Sequence, residues 1–341
     1  MRGVWGAAAP RKRHRYTGTS DRSITEHFFS TLRTSHTPQD RGIFSPADRS
    51  GAVQIAILGA ESLGARSMAT VVRTADRTVL IDPGVALAPK RSGFPPHPGE
   101  VEAADRVREA VLGWLPRATD VVVTHFHGDH MPLADADPYQ VSLSAFVPPR
   151  GCRVWVPGEE GHSGQARARR RALGQALGQA LGQALGQALG RPLPSAEGKD
   201  DGVVACAGPF PHGGGIGAVM IVAVREGNAC FVHASDTQLL SPEAVGTVLR
   251  WRPSVVYTSG PALYLPEITW EEVDLARAHA ARIAAATDTL VIDHHPLRGE
   301  GGIRWVEDAG GISAAAFMGV SPTPFEARRR DLWGRPPAGI Y

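Results

Sequence analysis

Cysteine is scarce in this 341-residue chain: Cys152, Cys206 and Cys230 form neither a CxxC pair nor an even-numbered framework. That argues against a disulfide scaffold or a thiolate-built zinc ribbon, and the three read as small buried hydrophobes in a reducing compartment. Lysine is equally rare. Lys12, Lys90 and Lys199 are the whole complement, so nearly all of the 36 basic residues are arginine. Neither sign of charge dominates, and a net +2 gives no ground for a strongly basic nucleic-acid-binding domain. No apolar run approaches the ~20 residues of a membrane-spanning helix, so no membrane partner is expected. The basic cluster Arg11–Arg15 has no apolar stretch behind it, which speaks against a secretory signal and for a cytoplasmic protein. What is present is an ordinary globular composition, 43% hydrophobic and 21% charged, enough for a sizeable core.

Residues 1–50 are polar and lack a sustained period, which predicts a disordered extension or sequence upstream of the true start. An ordered domain is expected over 51–320, with an Arg- and Pro-rich tail over 321–341 that drapes over the surface or ties down a homo-oligomer. Inside the domain, apolar runs at Val53–Leu58, Thr70–Arg73, Thr78–Ile81, Asp120–Thr124 and Arg153–Val156 read as strands. Ile216–Val224 and Ala229–His233 flank Glu226-Gly-Asn228 as a hairpin, and Val255–Thr258 and Thr289–Ile292 follow as further strands. Helical periodicity covers Glu102–Leu115, and Thr269-Trp-Glu-Glu272 forms a capping box that opens a helix running to Ala286. Such alternation suits a layered α/β fold with its polar ligands along one sheet edge. The tract 172–190 repeats Ala-Leu-Gly-Gln. A glycine in every turn costs about 1 kcal/mol each relative to alanine, so an isolated helix there is not expected to be stable.

One stretch carries the chemistry: Val121-Val-Val-Thr-His125-Phe-His127-Gly-Asp129-His130. His125 and His127, two apart on an extended segment, point the same way and can meet one metal ion. Gly128 permits a bend that turns Asp129 and His130 towards a second ion. Neutral imidazole and carboxylate are the donors that Zn²⁺ and its neighbours take. Three later candidates also follow apolar runs: His212 in a Pro/Gly turn, Asp236 after Cys230–Ser235, and His294 or His295 after Thr289–Asp293.

In this order the motifs resemble those of the metallo-β-lactamase superfamily, over roughly Val53 to Val320. The resemblance implies a four-layer αβ/βα sandwich of two mixed sheets flanked by helices. It implies that His125, His127 and His212 hold one metal, that Asp129, His130 and His294 (or His295) hold a second, and that Asp236 bridges them. Asp82 in Leu80-Ile-Asp-Pro-Gly84 matches an early element that orders the site rather than binding metal. A closer similarity, through Glu61–Ala69, Ile81–Arg91, Gly93–Pro98, Phe231–Asp236 and Asp293-His-His295, is to a largely archaeal branch of predicted hydrolases without an assigned substrate.

The expected cofactors are two divalent ions, Zn or else Mn or Fe, sharing a hydroxide that attacks an acyl or phosphoryl centre, with Asp129 and Asp236 orienting it. The substrate is expected to be a small molecule with an ester, thioester or small phosphodiester bond. Lys90 and Arg91, on the loop after Asp82, are candidates for attracting an anionic substrate. The competing readings are a di-iron redox or non-hydrolytic metal-binding protein on this fold and a nuclease or RNA-processing role. A redox role would call for a flavin partner domain, and no flavodoxin-like segment follows Val320. A nuclease of this superfamily would carry a large insertion between Asp236 and His294, which the intervening strands and one helix do not provide.

Overall fold

The computed structural model describes residues 53–182, 193–213 and 217–334. The expectations for residues 1–50, for the later Ala-Leu-Gly-Gln repeats and for residues 335–341 lie outside it.

Two five-stranded mixed sheets are built to one plan. The first runs β1 (Gln54–Ile57), β2 (Thr70–Arg73), β3 (Thr78–Ile81), β4 (Asp120–Val122) and β5 (Arg153–Trp155), antiparallel at first and parallel from β3 onward. The second repeats this with β6 (Val204–Pro211), β7 (Ala218–Glu226), β8 (Ala229–Ser235), β9 (Val255–Ser259) and β10 (Thr289–Asp293), again antiparallel and then parallel from β8. Met220 N donates to Thr124 O (2.9 Å), a backbone bond from the second sheet to the chain just past β4.

Alternation decides what lies between the sheets. Along β7, Met220, Val222 and Val224 join the large core that also holds the first sheet, while Ile221 and Ala223 face a second cluster. Phe231, Tyr257 and Val291 point inward likewise, and Val232, Val256, Leu290 and Ile292 outward. The outward residues are covered by α3 (Pro242–Arg250) through Val245 and Val248, and by α4 (Trp270–Ala284) through Val273, Ala276, Ala280 and Ile283. On the first sheet, Val71, Val72, Val79, Leu80 and Ile81 are all fully buried, so both its faces are covered. Helix α1 (Pro98–Trp114) contributes Ala103, Val107 and Val111 to that core. The expected αβ/βα sandwich is therefore the observed one.

Several differences have local causes. Helix α1 starts at Pro98 rather than near Glu102, because His97 caps it: its ring accepts from Gly99 N and Glu100 returns a bond to His97 N. The expected box at Thr269 and Glu272 opens α4. Strand β6 is hidden in the sequence by Gly208-Pro-Phe-Pro211. It lies at a sheet edge, where missing N–H donors are tolerated, and its register with β7 shifts between Ala207 and Phe210. The start of the repeat tract is helical after all, within α2 (Gly164–Gly182). Leu173 and Leu177 are buried in the large core, so tertiary packing offsets the glycines. Among the described residues, the short α-helices after β10 are α5 (Gly302–Asp308), α6 (Ala314–Phe317) and α7 (Arg329–Leu332). The last of these lies in the expected tail, yet Arg329 is fully buried and pairs with Glu100 through two bonds of 2.7 Å. Up to Gly334 the tail is therefore fastened to the domain.

Candidate metal centre

The candidate residues sit where strands end. His125, His127, Asp129 and His130 follow β4, His212 follows β6, Asp236 follows β8, and His294 and His295 follow β10. The backbone is bent hard at these ends. Asp82 after β3, Ser235 at the end of β8 and His294 after β10 all have positive φ (47°, 47° and 67°), a conformation that non-glycine residues rarely hold. Gly84 lets the β3 loop touch the histidine loop, since a Cβ there would meet Met131 N at 2.3 Å and His130 N at 2.6 Å.

All seven sequence candidates come together, and so does His295. One group joins His125, His127, His212 and Asp236; another joins Asp129, His130 and His294; a third joins Asp236 with His294 and His295. Asp236 Oδ2 is the hub, at 3.6 Å from His125 Nε2, 3.3 Å from His130 Nε2, 3.2 Å from His212 Nε2, 3.6 Å from His294 Nε2 and 3.1 Å from His295 Nε2. Both His294 and His295 reach this hub. His294 also stands 3.5 Å from Asp129 Oδ2 and 3.2 Å from His130 Nε2, whereas His295 reaches Asp236 from the side of Tyr264.

The donor set suits a borderline divalent ion. His125 Nε2 lies 3.1 Å from His127 Nδ1, close to the roughly 3.4 Å between two nitrogens on one tetrahedral zinc. Asp236 Oδ1 is buried with no hydrogen-bond partner, although its carboxylate stays ionised: burial works against the charge, but His294 and His130 prevail. Burial keeps His125 well below the usual imidazole range and lowers His127 to about 4 and His295 to about 3. Neutral rings with free lone pairs are what a metal needs. At His130, Asp236 and Asp82 overcome burial and raise the ring to about 10.

Around this centre the second layer is tightly bonded. Asp82 accepts from Thr124 N and Thr124 Oγ1 (both 2.7 Å), from Ser235 Oγ (3.2 Å) and from His130 Nδ1 (2.8 Å). It thereby ties β3, β4 and β8 together and turns His130 Nε2 inward, the ordering role its motif implies. Glu61 does the same for His294, at 2.7 Å from its Nδ1, and receives Arg298 Nε at 2.5 Å. Those charges hold Glu61 down at about 2 against its burial. Glu61, Tyr264 and Arg298 were not singled out from the sequence as parts of a site. The available signals were a glutamate just past β1 and an arginine four residues after His294. Lys90 is exposed, and Arg91 lies 4.0 Å over the Tyr264 ring and donates to Arg298 O (2.7 Å), so it props the wall of the site. Among the described residues, no cysteine belongs to a metal-ligating group.

A scan against protein-family models finds no match. A UPF0282 protein of Methanosarcina mazei is 43% identical over 294 residues, covering 84% of this chain and 93% of the relative. The chain belongs to the UPF0282 family. UPF0282 proteins of Pyrobaculum neutrophilum and Pyrococcus horikoshii are 32% and 29% identical, covering 83% and 81% of this chain and 95% and 91% of theirs. Among solved structures, the chain is similar to a metal-dependent hydrolase of the beta-lactamase superfamily (13% identity, 73% of this chain and 87% of that one, TM-score 0.39). It is also similar to a metallo hydrolase of Ignicoccus hospitalis (12% identity, 76% and 93%, TM-score 0.37). A diiron beta-hydroxylase of Streptomyces venezuelae is similar at 18% identity (77% and 47%, TM-score 0.35). Among the described residues, no helix is long and apolar enough to cross a membrane.

Proposed function

We propose that this UPF0282 protein is a metal-dependent hydrolase of a small substrate bearing an ester, thioester or phosphodiester bond. The observation that carries this reading is the convergence of His125, His127, His212 and Asp236, whose donor atoms all lie within 4.8 Å of one another. These four would hold a divalent ion, with Zn favoured by the nitrogen-rich donor set and Mn or Fe as alternatives. Such an ion acts as a Lewis acid and makes water a competent nucleophile near neutral pH.

The chain's own residues account for the rest. Asp236 keeps a negative charge in a buried place, Asp82 and Glu61 fix the rings of His130 and His294, and Asp129 is 14% exposed at the rim. Because His127, Asp129 and Tyr264 are the half-buried members while the others are buried, a substrate would approach from their side.

The test is metal analysis of the purified protein combined with hydrolysis assays on ester, thioester, lactam and phosphodiester model substrates. Substituting His127→Ala or Asp236→Ala should lower metal content and hydrolysis by more than the roughly 10–100-fold that loss of an outer partner costs. Unchanged metal content and hydrolysis in both variants would overturn the reading.

A further inference from the structure

We infer that a cavity between α2 and the histidine loop receives an arm of the substrate. That arm is apolar, about six carbons long, and carries an oxyanion that Arg169 binds. The inference rests on the proposed hydrolase reading and names a feature of its substrate.

The cavity has a volume of about 200 Å³. Its lining is largely apolar: Met131, Leu133 and Leu143 come from the segment after His130, and Ala168 and Ala172 from α2. An apolar cavity of about 150 Å³ holds benzene, so this one accommodates a chain or ring of about six carbons. It adjoins the metal donors through the loop they share. Leu133 packs on Gly128, where a Cβ would meet Leu133 Cδ1 at 2.8 Å. Gly128 in turn stands between His127 and Asp129 on the half-buried rim of the centre.

Arg169 lines the same cavity, and its Nη1 donates to Phe126 O (3.0 Å), the carbonyl between His125 and His127. Among the described residues that is its one hydrogen bond, and no carboxylate forms an ion pair with it. A guanidinium carries five N–H donors in a planar fork, the geometry that takes a carboxylate or a phosphate. Its neighbours along α2 differ. Arg167 and Arg171 are exposed to water, and buried Arg170 meets Glu159 at 3.7 Å. Of these four, Arg169 is the one held half-buried without a counter-ion, and an anion entering the cavity would compensate that charge. Asp135 shares the lining but is exposed, so water solvates it and leaves Arg169 available.

Calorimetric titration of the zinc-loaded full chain with hexanoate, hexyl phosphate, acetate, inorganic phosphate and 1-hexanol tests this. Each methylene adds up to about fourfold in affinity when buried, so hexanoate should bind at least about 30-fold more tightly than acetate. Hexyl phosphate should gain likewise over inorganic phosphate, and the tighter of the two names the oxyanion. Hexanol, which lacks the charge, should bind about 10–100-fold more weakly than hexanoate. Arg169→Met and Arg169→Gln should lose that same factor for the anions, and Arg169→Lys should recover part of it. Hexanol affinity and bound zinc within about threefold of wild type show that these variants keep the cavity and the loop intact. Among model substrates that are turned over, one with a six-carbon carboxylate arm should show a KM about tenfold below its uncharged counterpart, and Arg169→Met should remove the difference. Six-carbon anions that bind no better than the short ones, binding that survives in both Arg169 variants, or equal KM values would overturn the inference. With hydrolysis intact, each of those results leaves the proposed function standing. A chain that holds no metal and hydrolyses no model substrate would overturn both.

Discussion

At the scale of single residues, buried carboxylates organise this protein at both ends of its first sheet. Beyond the strand ends, Asp82 and Glu61 aim imidazoles into the centre. At the opposite end of β4, fully buried Asp120 accepts from Arg77 (2.6 Å), Arg153 (2.8 Å) and Trp155 Nε1 (2.9 Å). Burial alone would raise its pKa, but the arginines and other donors lower it from 3.8 to about 2. Because the folded pKa is depressed, its stabilising contribution is present above the unfolded value and is lost as pH falls through the folded one. Asp120→Asn should therefore cost about 1–3 kcal/mol at neutral pH, because Arg77 then keeps only Asp201 at 3.0 Å as its carboxylate partner. The gap to wild type should narrow between pH 3.8 and about 2. Denaturant midpoints of the two proteins across that range check this, and a gap that stays constant would refute the assignment.

At the scale of elements, the loops that carry the candidate metal donors depend on close backbone approach, and the fold depends on helices that succeed only in context. Gly84→Ala should push the β3 loop off His130, because the new Cβ would lie 2.3 Å from Met131 N. Metal content should fall while the far-ultraviolet circular dichroism is retained; full metal content in a folded Gly84→Ala protein would count against it. The repeat helix makes a different point. Alone, its glycines disfavour a helix, yet Leu173 and Leu177 lie in the core at 1% exposure each. Leu177→Ala should cost about 2–5 kcal/mol, measured by chemical unfolding, which is the range for a buried leucine. A change under about 0.5 kcal/mol would mean that the helix is not part of the cooperative unit.

For the molecule as a whole, the legible and illegible parts divide along a clear line. The strands read correctly, and the candidate donors that the fold brings together, were those where one short window held the full signal, as in Val121–His130 with its apolar run and dense donors. Strand β6 was obscured because its prolines are tolerated only by virtue of its edge position, a property of the sheet and not of the segment. Arg298 and Glu61 escaped notice because their meaning lies in each other: 237 residues separate them, and each alone is an ordinary charged residue. The tail was read as draping over the surface or tying down a homo-oligomer, and its fastening to the domain was illegible because a run of arginines gives no sign that Glu100 faces Arg329.

The sequence by itself determined the donor types, their order and the alternation that makes two sheets, because strand period and metal chemistry are local properties of the chain. Tertiary structure alone decided the rest. The first sheet brings His125, His127, Asp129 and His130, the second brings His212, Asp236, His294 and His295, and neither set makes the centre without the other. Only with the sheets packed does Asp236 Oδ2 sit among five imidazoles, and only then does Arg298 meet Asp129. Coordination and hydrogen bonding act over about 3 Å, and spacing along a chain does not fix distances of that size between distant segments.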